Sequence, residues 1–232
     1  MFKNSNFGFT KVTPNKKTKL VQKVFSDVAP NYDLMNDIMS LGTHRLWKRN
    51  FVKLINPTSN DKIIDIGSGS GDIVKEILKI NQYEEIHIVD LNKDMLDQGE
   101  KIINKNKKIF FYLQNAEKLK FDDNFFDKYI ISFCLRNITN IELSIKEAYR
   151  ILKPGGQFYC LEFSKPESFI TYEMYKKYKS LFLPFVGKFF ANNEKAYKYL
   201  SESIDLFPNQ NELKNLFCKL GFENVYYKNF FN

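Results

Sequence analysis

Between Lys62 and Asp90 two short apolar runs are separated by a glycine-rich turn and a more polar stretch. Ile63, Ile64 and Ile66 make the first run, and Ile86, His87, Ile88 and Val89 the second. Runs this short and this rich in β-branched residues predict strands buried on both faces. The intervening residues 72–79 predict a helix. The same rhythm continues with a helix over 93–104, a strand over 109–113 and a fourth strand over 126–133, nearly all apolar from Tyr129. Ile141, Ile145, Ala148, Tyr149 and Leu152 then recur on one helical face. Lys153-Pro154-Gly155-Gly156 stops that helix and turns into a fifth strand over 158–163. Strands and helices alternating this regularly predict a mainly parallel sheet with helices on both faces.

The flanks follow other patterns. Residues 17–29 predict a helix closed by Pro30-Asn31. Leu46, Trp47, Phe51 and Leu54 lie at helical spacing in a second helix over 44–54, which stops before Pro57. Residues 1–60 therefore read as an N-terminal helical cap on an α/β domain of residues 61–232, the whole forming one structural domain. Residues 169–200 break the alternation with a long aromatic, helical insertion (Tyr172, Tyr175, Tyr178, Phe182, Phe185, Phe189 and Phe190), interrupted at Pro184. This stretch can be core, can line a tunnel for an apolar tail, or can seat the protein on a membrane. A helix over 211–220 and a terminal strand over 225–231 complete the prediction.

Composition narrows the picture. A chain of 232 residues suits one α/β domain with additions. Its 44% hydrophobic and 27% charged residues are ordinary for a globular protein. No apolar run approaches the ~20 residues needed to span a bilayer, and the N-terminus lacks a signal-peptide core, so a cytoplasmic location is expected. Cys134, Cys160 and Cys218 are widely spaced and read as buried free thiols. With only two histidines, no metal site is expected. The net charge of +8 invites a nucleic-acid or membrane reading. The clusters Lys16-Lys17-Lys19 and Lys105-Lys107-Lys108 are not interleaved with stacking aromatics, so no nucleic-acid partner is expected. Attraction to an anionic membrane surface stays open.

The chemistry sits in the first turn. Gly67-Ser68-Gly69-Ser70-Gly71 follows a strand that carries Asp65, and Asp90 ends the next strand. Strand, glycine turn, helix, strand and terminal acid describe a nucleotide-binding unit, the acid accepting from a ribose diol. A dinucleotide fingerprint has its third glycine three residues after the second; here it comes after two, and Asp72 puts negative charge where a pyrophosphate would lie. That spacing disfavours a nicotinamide-dependent oxidoreductase. The absence of G-K-[S/T] argues against a P-loop as well. Asp65 and the G-x-G-x-G turn suit a cofactor with a cationic tail, as in S-adenosylmethionine. The plainer alternative is an ordinary βα turn that needs glycine for steric reasons.

Longer motifs extend this reading. Val24-Phe25-Ser26-Asp27-Val28-Ala29-Pro30-Asn31-Tyr32-Asp33-Leu34-Met35-Asn36, then Gly42 and His44-Arg45-Leu46-Trp47-Lys48-Arg49, resemble the N-terminal signature of the ubiquinone/menaquinone biosynthesis C-methyltransferases (the UbiE/MenG type). Ile131-Ser132-Phe133-Cys134-Leu135-Arg136-Asn137 resembles that family's I-S-F-G-L-R-N. Leu161-Glu162-Phe163-Ser164-Lys165-Pro166 resembles its L-E-F-S-K-P, and Tyr197 to Ile204 with Phe207-Pro208-Asn209-Gln210 resembles a fourth motif. The resemblance spans essentially the whole chain from Phe7. Two departures stand out. Cys134 occupies a common glycine position, and the chain ends at Asn232 where relatives continue into a final strand.

The resemblance implies a class I methyltransferase, Rossmann-like, with an N-terminal helical cap and a helical insertion before the last strands. It implies S-adenosylmethionine-dependent methylation of a ring carbon on a prenylated quinol. Cofactor contacts carry over to Ser70, Asp90, Asn115, Ala116 and Ser132, beside Asp65, Gly67 and Gly69 of the turn. Arg136 is expected to stabilise a phenolate or orient a water, its alternative being a structural ion pair. Asn137 and Tyr32 are further catalytic candidates, with Asn36 and His44 as weaker ones. Glu162 can accept a hydroxyl proton or pair with Arg136. Contact with a membrane or a biosynthetic complex, and a homodimer, are compatible with the resemblance. The competing functions are methylation of another small aromatic and a non-catalytic quinone-binding assembly role. An RNA methyltransferase would call for an N/D-P-P-Y/F motif, which is not seen.

Overall fold

The computed structural model describes residues 5–29, 34, 36–37, 40, 42–80, 83–103, 108–164, 173 and 194–230. Contacts divide the chain into two compact units, one of Thr43–Glu162 and one of Met1–Gly42 with Phe163–Asn232.

The first unit is the sheet. Strands β3 (Lys62–Ile66), β4 (Glu85–Asp90), β5 (Ile109–Leu113), β6 (Phe126–Ser132) and β7 (Leu152–Leu161) are all parallel, in the order β5-β4-β3-β6-β7. Helices α2 (Thr43–Ile55), α3 (Asp72–Ile80), α4 (Lys93–Ile102) and α5 (Ile141–Ile151) lie between or before them, except that a loop alone joins β5 to β6. The sheet's own third, second, first, fourth and fifth strands thus lie side by side. In this order the connections leave in opposite directions from β3 and β6, opening a crevice at their carboxyl ends. Ile63, Ile64, Ile66, Ile86, Ile88, Ile130 and Ile131 are essentially inaccessible. Each contributes about 1.5–3 kcal/mol of burial, which is why the apolar runs read as strands.

Register settles which side chains share a face. Asp65 pairs with Ile88 on one side and Ile130 on the other. Side chains alternate along a strand, so Asp90 and Ser132, two residues further on, lie on the Asp65 face. The fifth strand begins six residues before its predicted start. Phe126 pairs with Leu152, the register then slips, and Lys128 pairs with Gln157. The Lys-Pro-Gly-Gly turn is absorbed as that irregularity, with Gly155 at φ +79°.

The second unit contains a β1–β2 hairpin (Ser5–Phe7 and Thr10–Val12), α1 (Pro14–Val28), α6 (Glu194–Leu206) and α7 (Gln210–Lys219). Thr13 caps α1, with Pro14 opening the helix where its missing N–H costs nothing. Val24 and Val28 of α1 bury against Ala196, Tyr199 and Leu200 of α6, and Phe7 stacks on Tyr199 at 4.3 Å. The hairpin is too short to show in the hydrophobic pattern. Glu202 secures it by accepting the Phe9 N–H at 3.0 Å. A capping box of Asn209 and Glu212 starts α7.

Two expectations change. The terminal strand expected over 225–231 is not formed through residue 230, and with it the expected last strands after the insertion are missing among the described residues. A strand needs ladder partners, and residues 225–230 have none among the described residues; Tyr226 is largely exposed. Cys218 is exposed on α7 rather than buried. Of the expected insertion over 169–200, Glu173 is described and residues 194–200 form the start of α6; its aromatics from Tyr172 to Phe190, and Tyr32, lie outside the described residues. No helix among the described residues is long and apolar enough to cross a membrane.

Candidate active site

The carboxyl ends of β3, β4, β5, β6 and β7 bring most of the expected residues to one edge of the sheet. After β3 the chain turns through Gly67, Gly69 and Gly71, at φ +62°, +58° and +77°. Only glycine takes such angles without strain. A Cβ on Gly67 would lie 2.1 Å from the Cys134 Sγ. The cysteine at a common glycine position therefore fills the space over this turn. Burial pushes its thiol well above the usual range, which makes it a packing group rather than a nucleophile.

Asp90 fastens the turn from the neighbouring strand. Its carboxylate accepts the Gly69 N–H at 2.9 Å and the Asn92 N–H at 2.7 Å. Burial pushes this carboxyl upward, opposed by hydrogen bonds from the Asn92, Gly69 and Leu91 backbone. The acid is held in place and sits at the strand end where a ribose diol can reach it.

Asp65 is 1% exposed. Its Oδ2 accepts the Ser68 hydroxyl at 2.6 Å, while its Oδ1 is buried without a hydrogen-bond partner. Burial, with the charges of Asp90 and Asp72 adding to it, pushes this carboxyl up to about 7, against the Ser68 hydrogen bond and Lys48. Ser132 Oγ, at the end of β6, is likewise buried without a partner. Buried polar atoms in folded proteins are nearly always satisfied. Two unmet ones on the same sheet face fit a polar ligand, and the acid fits a cationic one.

The Ser70 hydroxyl donates to Asp72 Oδ1 at 3.1 Å. Asp72 opens α3 and is gripped by Lys48 at 2.5 Å and Lys75 at 2.9 Å. Although burial acts the other way, those two cations hold its carboxyl well below the usual range. Asp72 thus occupies the helix N-terminus where a phosphate would otherwise bind, and both lysines are already paired to it.

Asn115 and Ala116 follow β5. The Asn115 Oδ1 accepts the Glu117 N–H at 2.9 Å, and Ala116 is buried. Glu117 then accepts the Thr139 and Asn140 N–H groups at 3.1 and 3.0 Å. Arg150 and Glu147 of α5 bind the Leu119 carbonyl and N–H further along the same loop. Sequence reasoning missed the Glu117, Glu147 and Arg150 fasteners, because each joins residues more than 20 positions apart with no local signature.

Past β6, Phe133 adopts φ +53°. A non-glycine residue there costs roughly 1–3 kcal/mol and persists only when its surroundings enforce it. The enforcement is visible. Its N–H donates to the Leu161 carbonyl at 2.7 Å, and its carbonyl accepts from Arg136 Nη1 at 2.8 Å and Asn137 Nδ2 at 3.3 Å. Arg136 Nη1 also pairs with Glu162 Oε1 at 2.5 Å, with the two side chains 5% and 4% exposed. The ion pair weighed for Arg136 is therefore present. Asn137 is buried in the same turn, and His44 is buried in α2. Among the described residues no cluster of His, Cys, Asp and Glu could hold a metal ion.

A parallel sheet in this strand order, with a glycine turn after its first strand and an acid ending its second, is a Rossmann-like nucleotide-binding arrangement, the fold on which class I methyltransferases are built. Solved structures agree at the level of fold. A methyltransferase in complex with the Haloferax volcanii Trm112 activator superposes with a TM-score of 0.62 at 18% identity, covering 85% of this chain and 75% of that one. An S-adenosylmethionine-dependent methyltransferase from Thermotoga maritima gives 0.62 at 23% identity, covering 88% and 82%. The chain belongs to the ubiE/COQ5 methyltransferase family, whose profile matches residues 12–232. The ubiquinone/menaquinone biosynthesis C-methyltransferases UbiE of Rickettsia bellii and Rickettsia prowazekii are 45% and 46% identical to it. Each alignment covers 97% of this chain, with 93% and 94% of the relatives.

Asp90→Ala is expected to weaken S-adenosylmethionine binding by about 1.5–3 kcal/mol, the range for hydrogen bonds to a charged group. Calorimetric titration reads this directly. Unchanged affinity would remove Asp90 from the cofactor site.

Proposed function

We propose that this chain uses S-adenosylmethionine to methylate a ring carbon of a prenylated quinol in ubiquinone or menaquinone biosynthesis. The observation that carries the proposal is the match along 97% of the chain to relatives named for that activity. The orphaned Asp65 and Ser132 oxygens support the cofactor. When bound, its sulfonium supplies an electrophilic methyl group. In this reading Asp90 holds the ribose diol, Asn115 and Ala116 flank the adenine, and Ser70 and Ser132 contribute hydroxyls. Asp65 answers the cationic tail. Rigid positioning of this kind can contribute up to about 7–11 kcal/mol.

The acceptor must offer an electron-rich carbon. A quinol does so once a ring hydroxyl ionises, and the proton leaves to solvent. We assign Arg136 the stabilisation of that phenolate, since a guanidinium stays charged at any working pH. Glu162 and the Phe133 carbonyl hold it in one orientation, with Asn137 bracing the same turn. Tyr32 is proposed as a further catalytic residue. The prenyl tail would bring the chain to a membrane surface, which its net charge of +8 would favour if that surface is anionic.

The test is incubation with methyl-labelled S-adenosylmethionine and reduced demethylated benzoquinol or naphthoquinol acceptors, followed by product analysis. Label on a ring carbon of at least one acceptor is expected. No transfer to either, or label on oxygen alone, would overturn the reading.

A further inference from the structure

Lys48 has no part in the site as described so far beyond gripping Asp72. It lies on α2, before the nucleotide-binding unit begins, and 24 residues from the acid it meets. Its side chain is 8% exposed. Lysine is almost never this buried, and removing an ammonium from water costs several kcal/mol. Capping α3 does not call for it, because Lys75 already pairs with Asp72 from within the helix and the Ser70 hydroxyl adds a third contact. The turn thus holds a second, buried cation in a place where one, partly exposed, would serve.

The charges around it show what that cation can serve. Asp65, Asp72 and Asp90 cluster at the glycine turn, and Asp65 feels the other two acids and Lys48. The unmet Asp65 Oδ1 is suited to an ammonium. The cofactor's amino-acid tail carries an ammonium and a carboxylate on one carbon. A carboxylate entering among three acids is repelled unless a cation meets it. Lys48 has three N–H donors, of which Asp72 takes one.

We propose that Lys48 binds the carboxylate of the cofactor's amino-acid tail, forming with Asp65 a receptor for both charges of that tail. This rests on the S-adenosylmethionine reading above. The competing role is that of a brace for Asp72 alone, and the two are separable by ligand chemistry. Decarboxylated S-adenosylmethionine keeps the sulfonium and the ammonium but lacks the carboxylate. Calorimetric titration should show the unaltered protein binding S-adenosylmethionine about tenfold or more tightly than the decarboxylated compound. Lys48→Met should reduce that preference to about twofold or less, and Lys48→Arg should keep most of it, since the guanidinium retains the charge. Equal weakening of both ligands by Lys48→Met, with the preference intact, would overturn the proposal and leave Lys48 a brace. If Lys48→Met does not fold, the unaltered protein still decides: no preference between the two compounds overturns the proposal. Binding of neither compound would instead overturn the cofactor reading beneath it.

Discussion

Arg136→Met is expected to lower folding stability by about 3–5 kcal/mol, because it strands the Glu162 carboxylate in a buried position. The pair is 5% and 4% exposed, and the same guanidinium pins the carbonyl of Phe133 at φ +53°. Replacing both partners, in Arg136→Met with Glu162→Met, should recover most of the loss, since an apolar pair leaves no unmet charge. Urea denaturation of the two single variants and the double variant reads this as a coupling energy. Turnover separates structure from chemistry. The double variant should fold yet remain slow, because no cation is left for the phenolate. Recovery of turnover together with stability would show that Arg136 is only structural. A loss below about 1 kcal/mol in Arg136→Met would place the pair with weak surface bridges.

Asp65→Asn should move stability and cofactor affinity in opposite directions. The folded carboxyl titrates at about 7, while an unfolded aspartate titrates at about 3.9. The ligand-free folded state therefore binds the extra proton between those values. Stability from this group is complete below pH ~4, falls as the pH rises through the folded value, and is flat above it. Removing the ionisable group should stabilise the ligand-free protein at pH 8 by about 2–4 kcal/mol, and hardly at pH 4. A cationic ligand favours the ionised acid, so affinity for S-adenosylmethionine should rise about tenfold from pH 6 to pH 8 and then level off. Asp65→Asn should abolish that rise and weaken binding at pH 8. Thermal melts and calorimetry across the range test both halves. Affinity independent of pH in the unaltered protein would remove Asp65 from the tail's surroundings.

The trade-off explains why parts of this site were legible in the sequence. Asp65 breaks a local rule, an acid in a fully buried strand, and such violations concentrate at functional sites; Gly67 and Gly69, closely spaced between a strand and a helix, mark the turn, and Asp90 ends the next strand. The core strands were legible for the opposite reason: Ile63, Ile64, Ile86 and Ile88 follow the rule for doubly buried strands without exception. What could not be read was partner choice across space. Lys48 finds Asp72, and Glu117 finds Thr139 and Asn140, each across 22 or more positions. The β1–β2 hairpin escaped notice because each of its strands has three residues, too few to show a period. The terminal segment misled because β-favouring residues such as Val225, Tyr226 and Tyr227 form a strand only where an edge accepts them.

Carbon methylation of a reduced ring stands or falls with the redox state of the acceptor. An oxidised quinone has no hydroxyl proton to lose and its ring is electron-poor, so no phenolate can form for Arg136 to stabilise. The same demethylated acceptor should be offered anaerobically in its reduced form and strictly oxidised, with methyl-labelled S-adenosylmethionine, and the label located in the product. Ring-carbon label is expected with the quinol only, at a rate that rises with pH as the hydroxyl ionises. Equal labelling of the oxidised quinone would contradict it.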